Sequence, residues 1–507
     1  MKSNQSLLKN TIFLYGKVVV SIFIAFFSTR LLNNALGSSD YGLYNIVAGF
    51  ILLLTSIRSF FSSSIQRFIN VANGRDDTAQ MNSVFNLGIV IHIAAAIVVV
   101  IIAETIGLWY INEIMVIDAG RLVAANYVYQ FSIVMAVGFV LVIPFEALIV
   151  AHERLKFYAI NTTIEMVVKL FIVIGLAYAS TDKLILYAFL LMLSTVLFRL
   201  NIVFFVLKNF KFYTYRLIWD KPLFKQLANF SGWNFLGHIT YILSHQGINL
   251  VLNTFGGTII NASQGFSYQI MNALNQFVNN LVLAISPKVM SGYESEKEKV
   301  IDLLAFTTKF VFFVVLALIT GLFLNLEVYL KFWLTKVPDY TAIFTILILI
   351  YLLIKILSGA MNTIMLADGD LKKSHTWQPI VSLLIVPIAY LLLMLGYPYY
   401  SVFIVLICAE ILKITVLFYV FKTQLEIPVL VFFKKQFLGP IILSSFAFLV
   451  YISFKNILSL QNLNLIFAII ASGIVFSLLV IISYFIGINK RERLILIDLV
   501  NKKILKK

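Results

Sequence analysis

A chain of 507 residues that is 61% apolar and only 12% charged, with a mean hydropathy of +0.96, is excluded from the ordinary soluble domains and reads as an all-α polytopic membrane protein. Its net charge of +16 would suit nucleic acid, but the basic residues are spread between apolar runs, so no nucleic-acid partner is expected. Cys408 is the single cysteine, which excludes disulfides and thiolate metal sites, and no cofactor or metal is expected.

In chain order the apolar runs predict fourteen membrane helices, over 11–36, 41–64, 83–105, 121–150, 158–179, 184–206, 227–253, 258–285, 303–325, 339–362, 377–396, 400–421, 438–454 and 464–487. The first run is too long for a cleavable signal, and no small-residue cleavage site follows it. With the N-terminus inside, 26 of the 39 Lys and Arg fall in the cytoplasmic set of connections and four in the opposite set. That asymmetry places both termini in the cytoplasm by the positive-inside rule. The outward connections, such as "NNALGSSD", "NTFGGTII" and "GYPYY", are short. A membrane enzyme acting on an external polymer needs a larger outer loop to hold it.

The longest basic cytoplasmic link, "LKNFKFYTYRLIWDKPLFK" (207–225), follows the sixth span. The segments on either side of it are alike. "LYGKVVVSIFIAFFSTRLLNNALGSSDYGLYNIV" and "FSGWNFLGHITYILSHQGINLVLNTFGGTIINASQGFSYQI" each carry an early Gly, then Leu-Asn before a Gly-containing turn, then a Gly-aromatic pair. Six spans on each side predict a duplicated bundle, with an N-terminal lobe over 1–210 and a C-terminal lobe over 211–430. Two further helices and a basic tail occupy 431–507.

The segment "RLLNNALGSSDYGLYNIVAGF" followed by "SSSIQRFINVANG" resembles the start of the Wzx-like polysaccharide-biosynthesis flippases. Their superfamily also holds the MATE drug exporters and the lipid II flippases. The resemblance implies two six-helix lobes around a central cavity and alternating access for a polyprenyl-pyrophosphate-linked oligosaccharide. It further implies a monomer in the bacterial cytoplasmic membrane, working beside glycosyltransferases and a polysaccharide polymerase.

Nine basic residues lie inside or at the ends of the predicted spans: Lys17, Arg30, Arg58, Arg121, Lys169, Arg199, Lys309, Lys355 and Lys413. Lys17, Arg121, Arg199 and Lys309 read as snorkelling to the headgroups. Arg30, Arg58, Lys169, Lys355 and Lys413 are deeper. Arg58 sits roughly 13 Å along a helix from the boundary charge Arg67, near the middle of a hydrocarbon core about 30 Å thick. Lys169 and Lys413 have acidic neighbours at helical spacing, Glu165 at i−4 and Glu410 at i−3, so internal neutralisation is an alternative for both. All five are candidates for an anionic headgroup, which Arg grips through two parallel donors.

Two polar stripes stand out in the second half. Ser231, Asn234, His238, Tyr241, His245 and Asn249 fall within roughly 80° of helical arc, and Gln269, Asn272, Asn275, Gln276, Asn279 and Asn280 within roughly 140°. Amides cannot comfortably face lipid. The stripes are therefore either interhelical hydrogen-bond partners or the wall of a hydrated cavity suited to sugar hydroxyls, and the second reading is preferred. Glu146, Glu165 and Glu410 are candidate ion-coupling residues, and the two histidines are weaker ones. No phosphate-binding loop for ATP occurs. Three rival classes remain: a MATE-type cation-coupled antiporter, a membrane polysaccharide polymerase or glycosyltransferase, and a scaffold for a surface-polymer assembly.

Overall fold

The computed structural model describes residues 20–493 except 56, 74, 76, 153, 211–212, 215, 217–218, 293–296, 369–372, 459–463 and 488–491; at 50–63, 155, 229–238, 280–292, 366, 375 and 456–458 it describes the backbone alone. Among the described residues 89% are helical and none is in a strand. Helices run in the order α1 (Val20–Leu36), α2 (Ser38–Thr55), α3 (Ile57–Asn73), α4 (Thr78–Ile102), α5 (Leu122–Leu141), α6 (Ile143–Ala151), α7 (Leu155–Gly175), α8 (Lys183–Asn209) and α9 (Lys221–Gly292). They continue with α10 (Lys297–Leu324), α11 (Leu326–Leu334), α12 (Thr341–Asp368), α13 (Ser374–Leu383), α14 (Ile385–Met394), α15 (Ser401–Thr423), α16 (Val429–Gln436), α17 (Leu438–Leu458) and α18 (Leu465–Ile482).

Ten helical stretches among the described residues are long and apolar enough to cross a membrane, and α1 with the first part of α2 makes an eleventh if that bent pair is one span. The expected spans over 227–253 and 258–285 both lie in α9, which is not among the ten; its Asn, Gln, Ser and His stripes dilute its hydropathy.

Two of the expected spans, 121–150 and 377–396, are each two helices, a third break sets α16 apart just ahead of the expected span 438–454, and the cause of all three is proline. Pro144, Pro387 and Pro440 each lack the N–H that would bond the carbonyl four residues back, and each ring crowds that carbonyl. Breaks follow at Val142, between α5 and α6; at Leu384, between α13 and α14; and at Phe437, between α16 and α17. Two turns are built on glycine. Gly37 (φ +81°) ends α1 and donates its N–H to the Asn33 carbonyl at 2.9 Å, and the chain then bends by 120° into α2. Gly257 (φ +68°, ψ −170°) kinks α9 at the matching place in the second sequence segment. Both φ values favour glycine, so the likeness between the two segments extends to their backbone.

The described chain divides into two compact units: residues up to Gly265 with Ser382–Tyr399, and Phe266–Val381 with Tyr400 onward. In the first unit one apolar core joins α2, α4, α5 and α8 around Tyr129, whose hydroxyl donates to the Ala103 carbonyl at 2.8 Å. The α2–α9 seam in this unit is close enough that Gly42 has no room for a side chain: a Cβ there would overlap the Thr258 carbonyl oxygen and lie 2.7 Å from its carbon. Beside it the Ser39 and Thr258 hydroxyls are 3.0 Å apart. In the second unit Phe266, Phe344 and Phe403 are fully buried, and the Ser267 hydroxyl lies 3.1 Å from that of Thr345. α8 shows the sidedness expected of a membrane helix. Leu193, Leu197, Leu200, Phe204 and Leu207 form one exposed apolar stripe, while Thr195, Arg199, Ile202 and Val206 are buried.

Candidate functional site

The first unit contains a buried ionic network assembled from three helices. Arg199 of α8 points about 120° away from the exposed stripe of that helix, and its guanidinium bonds two carboxylates. One is Glu146 of α6, at 3.0 Å from Nη1; the other is Glu165 of α7, bonded to Nη2. The face of Phe139 lies 5.3 Å from the guanidinium carbon. Glu165 also accepts from Lys169 Nζ at 2.7 Å, the i,i+4 pair that spacing predicts. Below the network, Asn201 Nδ2 donates to Asn161 Oδ1 at 2.7 Å. Side-chain exposure grades across the group: 8% at Glu165 and 9% at Arg199, but 36% at Lys169. Lys169 is the open end of the network. It borders a cavity of about 360 Å³ between α1 and α7, lined also by Ser21, Ser28 and Thr162.

Arg199 is the residue that sequence reasoning misplaced. It lies well inside Lys183–Asn209 rather than at a helix end, and it is buried instead of snorkelling. The signal that could have found it is the leucine stripe, which assigns one face of α8 to lipid and leaves Arg199 on the other. Arg121, also expected to snorkel, joins the starts of α2, α5 and α8. Its guanidinium bonds Asp40 at 2.6 and 2.9 Å and Asp182 at 2.5 and 3.2 Å. Those bonds, with the backbone N–H groups that Asp182 caps, hold the Asp182 carboxyl below its ordinary range. Lys309 is buried and paired with Glu492. Lys17 lies outside the described residues, and so do the side chains of Arg58, Asn234 and His238. Arg30 is half-buried on α1.

The second unit holds a related cluster on α12 and α15. Glu410 is 5% exposed; it accepts from the Ser358 hydroxyl at 2.6 Å and lies 3.6 Å from Lys413 Nζ. Lys355 is within electrostatic range of Lys413 and has its ammonium 6.0 Å from the Tyr351 ring centre. Thus Lys169, Lys355 and Lys413 each belong to a cluster that includes other ionisable groups.

The polar stripes of α9 divide. Asn249, expected on a cavity wall, is buried in a knot of amides across the Gly257 kink. Asn261 Nδ2 donates to its side-chain and backbone oxygens at 2.7 and 2.8 Å, and Asn253 Nδ2 donates to Asn261 Oδ1 at 2.9 Å. Asn253 also bonds both backbone groups of Val116, at 2.9 and 3.1 Å. His245 is buried with its ring 4.3 Å from that of half-buried Tyr241. Beyond the kink, Asn272, Gln276 and Asn279 are exposed at i, i+4 and i+7, and Gln269 is half-buried. Three amides exposed along one face of a helix at this hydropathy call for water beside them. Cysteine at 272, 276 or 279 is expected to react with a membrane-impermeant thiol reagent, and cysteine at 249 to be protected, in a Cys408→Ser background. Equal protection at all four positions would make the exposed stripe a lipid or protein contact.

Residues 29–337 match the family model described as "polysaccharide biosynthesis protein". No curated protein matches the chain by sequence. Among solved structures, an inward-facing multidrug-resistance MATE transporter of the MOP superfamily is 13% identical, with a TM-score of 0.68, covering 82% of this chain and 96% of its own. The lipid II flippase MurJ in an inward closed conformation is 16% identical with a TM-score of 0.66, covering 93% and 99%. The eukaryotic MATE transporter AtDTX14 is 15% identical with a TM-score of 0.56, covering 80% and 96%. The fold is that of these transporters and flippases, and by the family match over more than half its length the chain belongs to the polysaccharide biosynthesis protein family.

Proposed function

We propose that this chain translocates a polyprenyl-pyrophosphate-linked oligosaccharide across the bacterial cytoplasmic membrane by alternating access, as a monomer working beside glycosyltransferases and a polysaccharide polymerase. The observation that carries the reading is the extent of the likeness to the lipid II flippase. It takes in 93% of the chain, against 80–82% for the MATE transporters. The difference from the 82% match is about 56 residues, 11% of 507, the length of two membrane helices with their turn. Membership of a polysaccharide-biosynthesis family supports a glycan cargo. In this reading the lobes are 1–210 and 211–430, with 431–507 as the addition. Arg30, Arg58, Lys169, Lys355 and Lys413 receive the pyrophosphate, and Asn272, Gln276 and Asn279 face the sugar.

A second reading, a cation-coupled exporter of small molecules, is favoured by one observation: the MATE transporter has the higher TM-score, 0.68 against 0.66. Described α1 holds Arg30 and no carboxylate, which suits an anionic cargo better than a cationic drug. The readings separate in liposomes. Purified protein is expected to expose a fluorescent polyprenyl-pyrophosphate glycan, initially confined to the inner leaflet, to an external glycosidase. Efflux of a cationic dye with no glycan exposure would replace the flippase reading with the exporter.

A further inference from the structure

The ionic network of the first unit has one member positioned to leave it. Glu165 and Arg199 are fixed by burial, and Arg199 is held a second time by Glu146. Lys169 is different: its side chain is the most exposed of the four, and it stands, with Glu165, at a 360 Å³ cavity whose other polar lining is the hydroxyls of Ser21, Ser28 and Thr162. That space is large enough for a phosphate group. We propose that Lys169 is an exchangeable counter-ion, passed between Glu165 and an anionic phosphate group entering this cavity, so that anion binding and protonation of Glu165 are linked. The inference rests on the flippase reading and adds a coupling ion to it.

The physical argument is one of competition for a cation. Lys169 carries three donors on a flexible stem and is drawn toward whichever anion offers the closer contact. When phosphate draws it away, Glu165 keeps Arg199, which it shares with Glu146. A buried carboxylate that loses one of two neighbouring cations binds a proton more tightly. The groups facing Glu165 are Lys169 on its own helix, Arg199 from α8 and, through Arg199, Glu146 from α6; α1 brings Ser21 and Ser28 to the cavity and carries Arg30. Linkage is reciprocal, so acidification strengthens anion binding by the factor through which the anion strengthens protonation.

The test uses purified full-length protein in detergent and the probe farnesyl-pyrophosphoryl-N-acetylglucosamine, a diester whose two negative charges stay fixed throughout the neutral range. Calorimetric titration in two buffers of different ionisation enthalpy counts protons per probe bound. The wild type is expected to take up protons on binding and to bind more tightly as pH falls. Glu165→Gln is expected to bind at least as tightly, with no uptake and a flat pH profile. Lys169→Ala should bind about tenfold more weakly and lose the uptake. Wild-type binding without proton exchange, or uptake that survives Glu165→Gln, overturns the inference and leaves the flippase reading standing. Absence of probe binding by the wild type overturns that reading, and the inference with it. The wild-type count decides by itself should the glutamine variant fail to fold.

Discussion

Replacing Arg199 with methionine is expected to destabilise the protein by about 3–5 kcal/mol, read as early thermal unfolding of the detergent-solubilised protein. The side chain is 9% exposed and serves Glu146 and Glu165 together. Its removal takes away the guanidinium that Glu146 and Glu165 share and leaves two carboxylates close together. Arg199→Lys should recover only part of the loss, because an ammonium cannot present two separate donor pairs as a planar fork does. The triple variant with Glu146→Gln and Glu165→Gln should recover more than lysine does, since the uncompensated charges are then gone. A melting curve for Arg199→Met that overlays the wild type would make the network peripheral to stability.

The second large effect is steric. At Gly42 the obstacle is the Thr258 backbone, which cannot rotate aside as a flexible side chain can. Gly42→Leu is therefore expected to push α2 off α9 and to cost about 3 kcal/mol, the upper end of ordinary overpacking. Separation is measurable apart from stability. In a Cys408→Ser background, the Ser39→Cys, Thr258→Cys pair replaces hydroxyls 3.0 Å apart and should cross-link readily under mild oxidation. Adding Gly42→Leu should abolish that cross-link, whereas adding Gly359→Ala, where a Cβ meets nothing within 4 Å, should leave it intact. Undiminished cross-linking with Gly42→Leu would mean that the seam absorbs the side chain.

Several of these features are legible in the sequence, and the dividing line is physical. Apolar runs reveal helices because the bilayer sets a minimum length, and proline reveals breaks because its missing donor acts on its own helix. The pairs Glu165–Lys169 and Glu410–Lys413 are readable because helix geometry fixes their spacing. Arg199 is 53 residues from Glu146 and 34 from Glu165, and no local rule joins those positions; only the packing of α6, α7 and α8 does. Periodicity misleads at Asn249 for a related reason. It shows that Asn234, His238, Tyr241, His245 and Asn249 share a face, but the neighbours of that face are set by the turn at Gly257, which returns Asn261 onto Asn249.

The bond between Asn253 and Val116 bears on how this protein can be handled. The stretch Met115–Gly120 is a non-helical connection between two membrane-length helices, the kind of place chosen for an epitope tag that reports which side of the membrane a turn faces. Its backbone is engaged: both peptide groups of Val116 belong to Asn253, and Asp118 accepts from Ser39. Inserted residues there would pull on α9 and α2 at once. The turn after Tyr178, which is 87% exposed, leaves Ser180 and Thr181 exposed as well. A tag between them would report sidedness without disturbing the helices it is meant to describe.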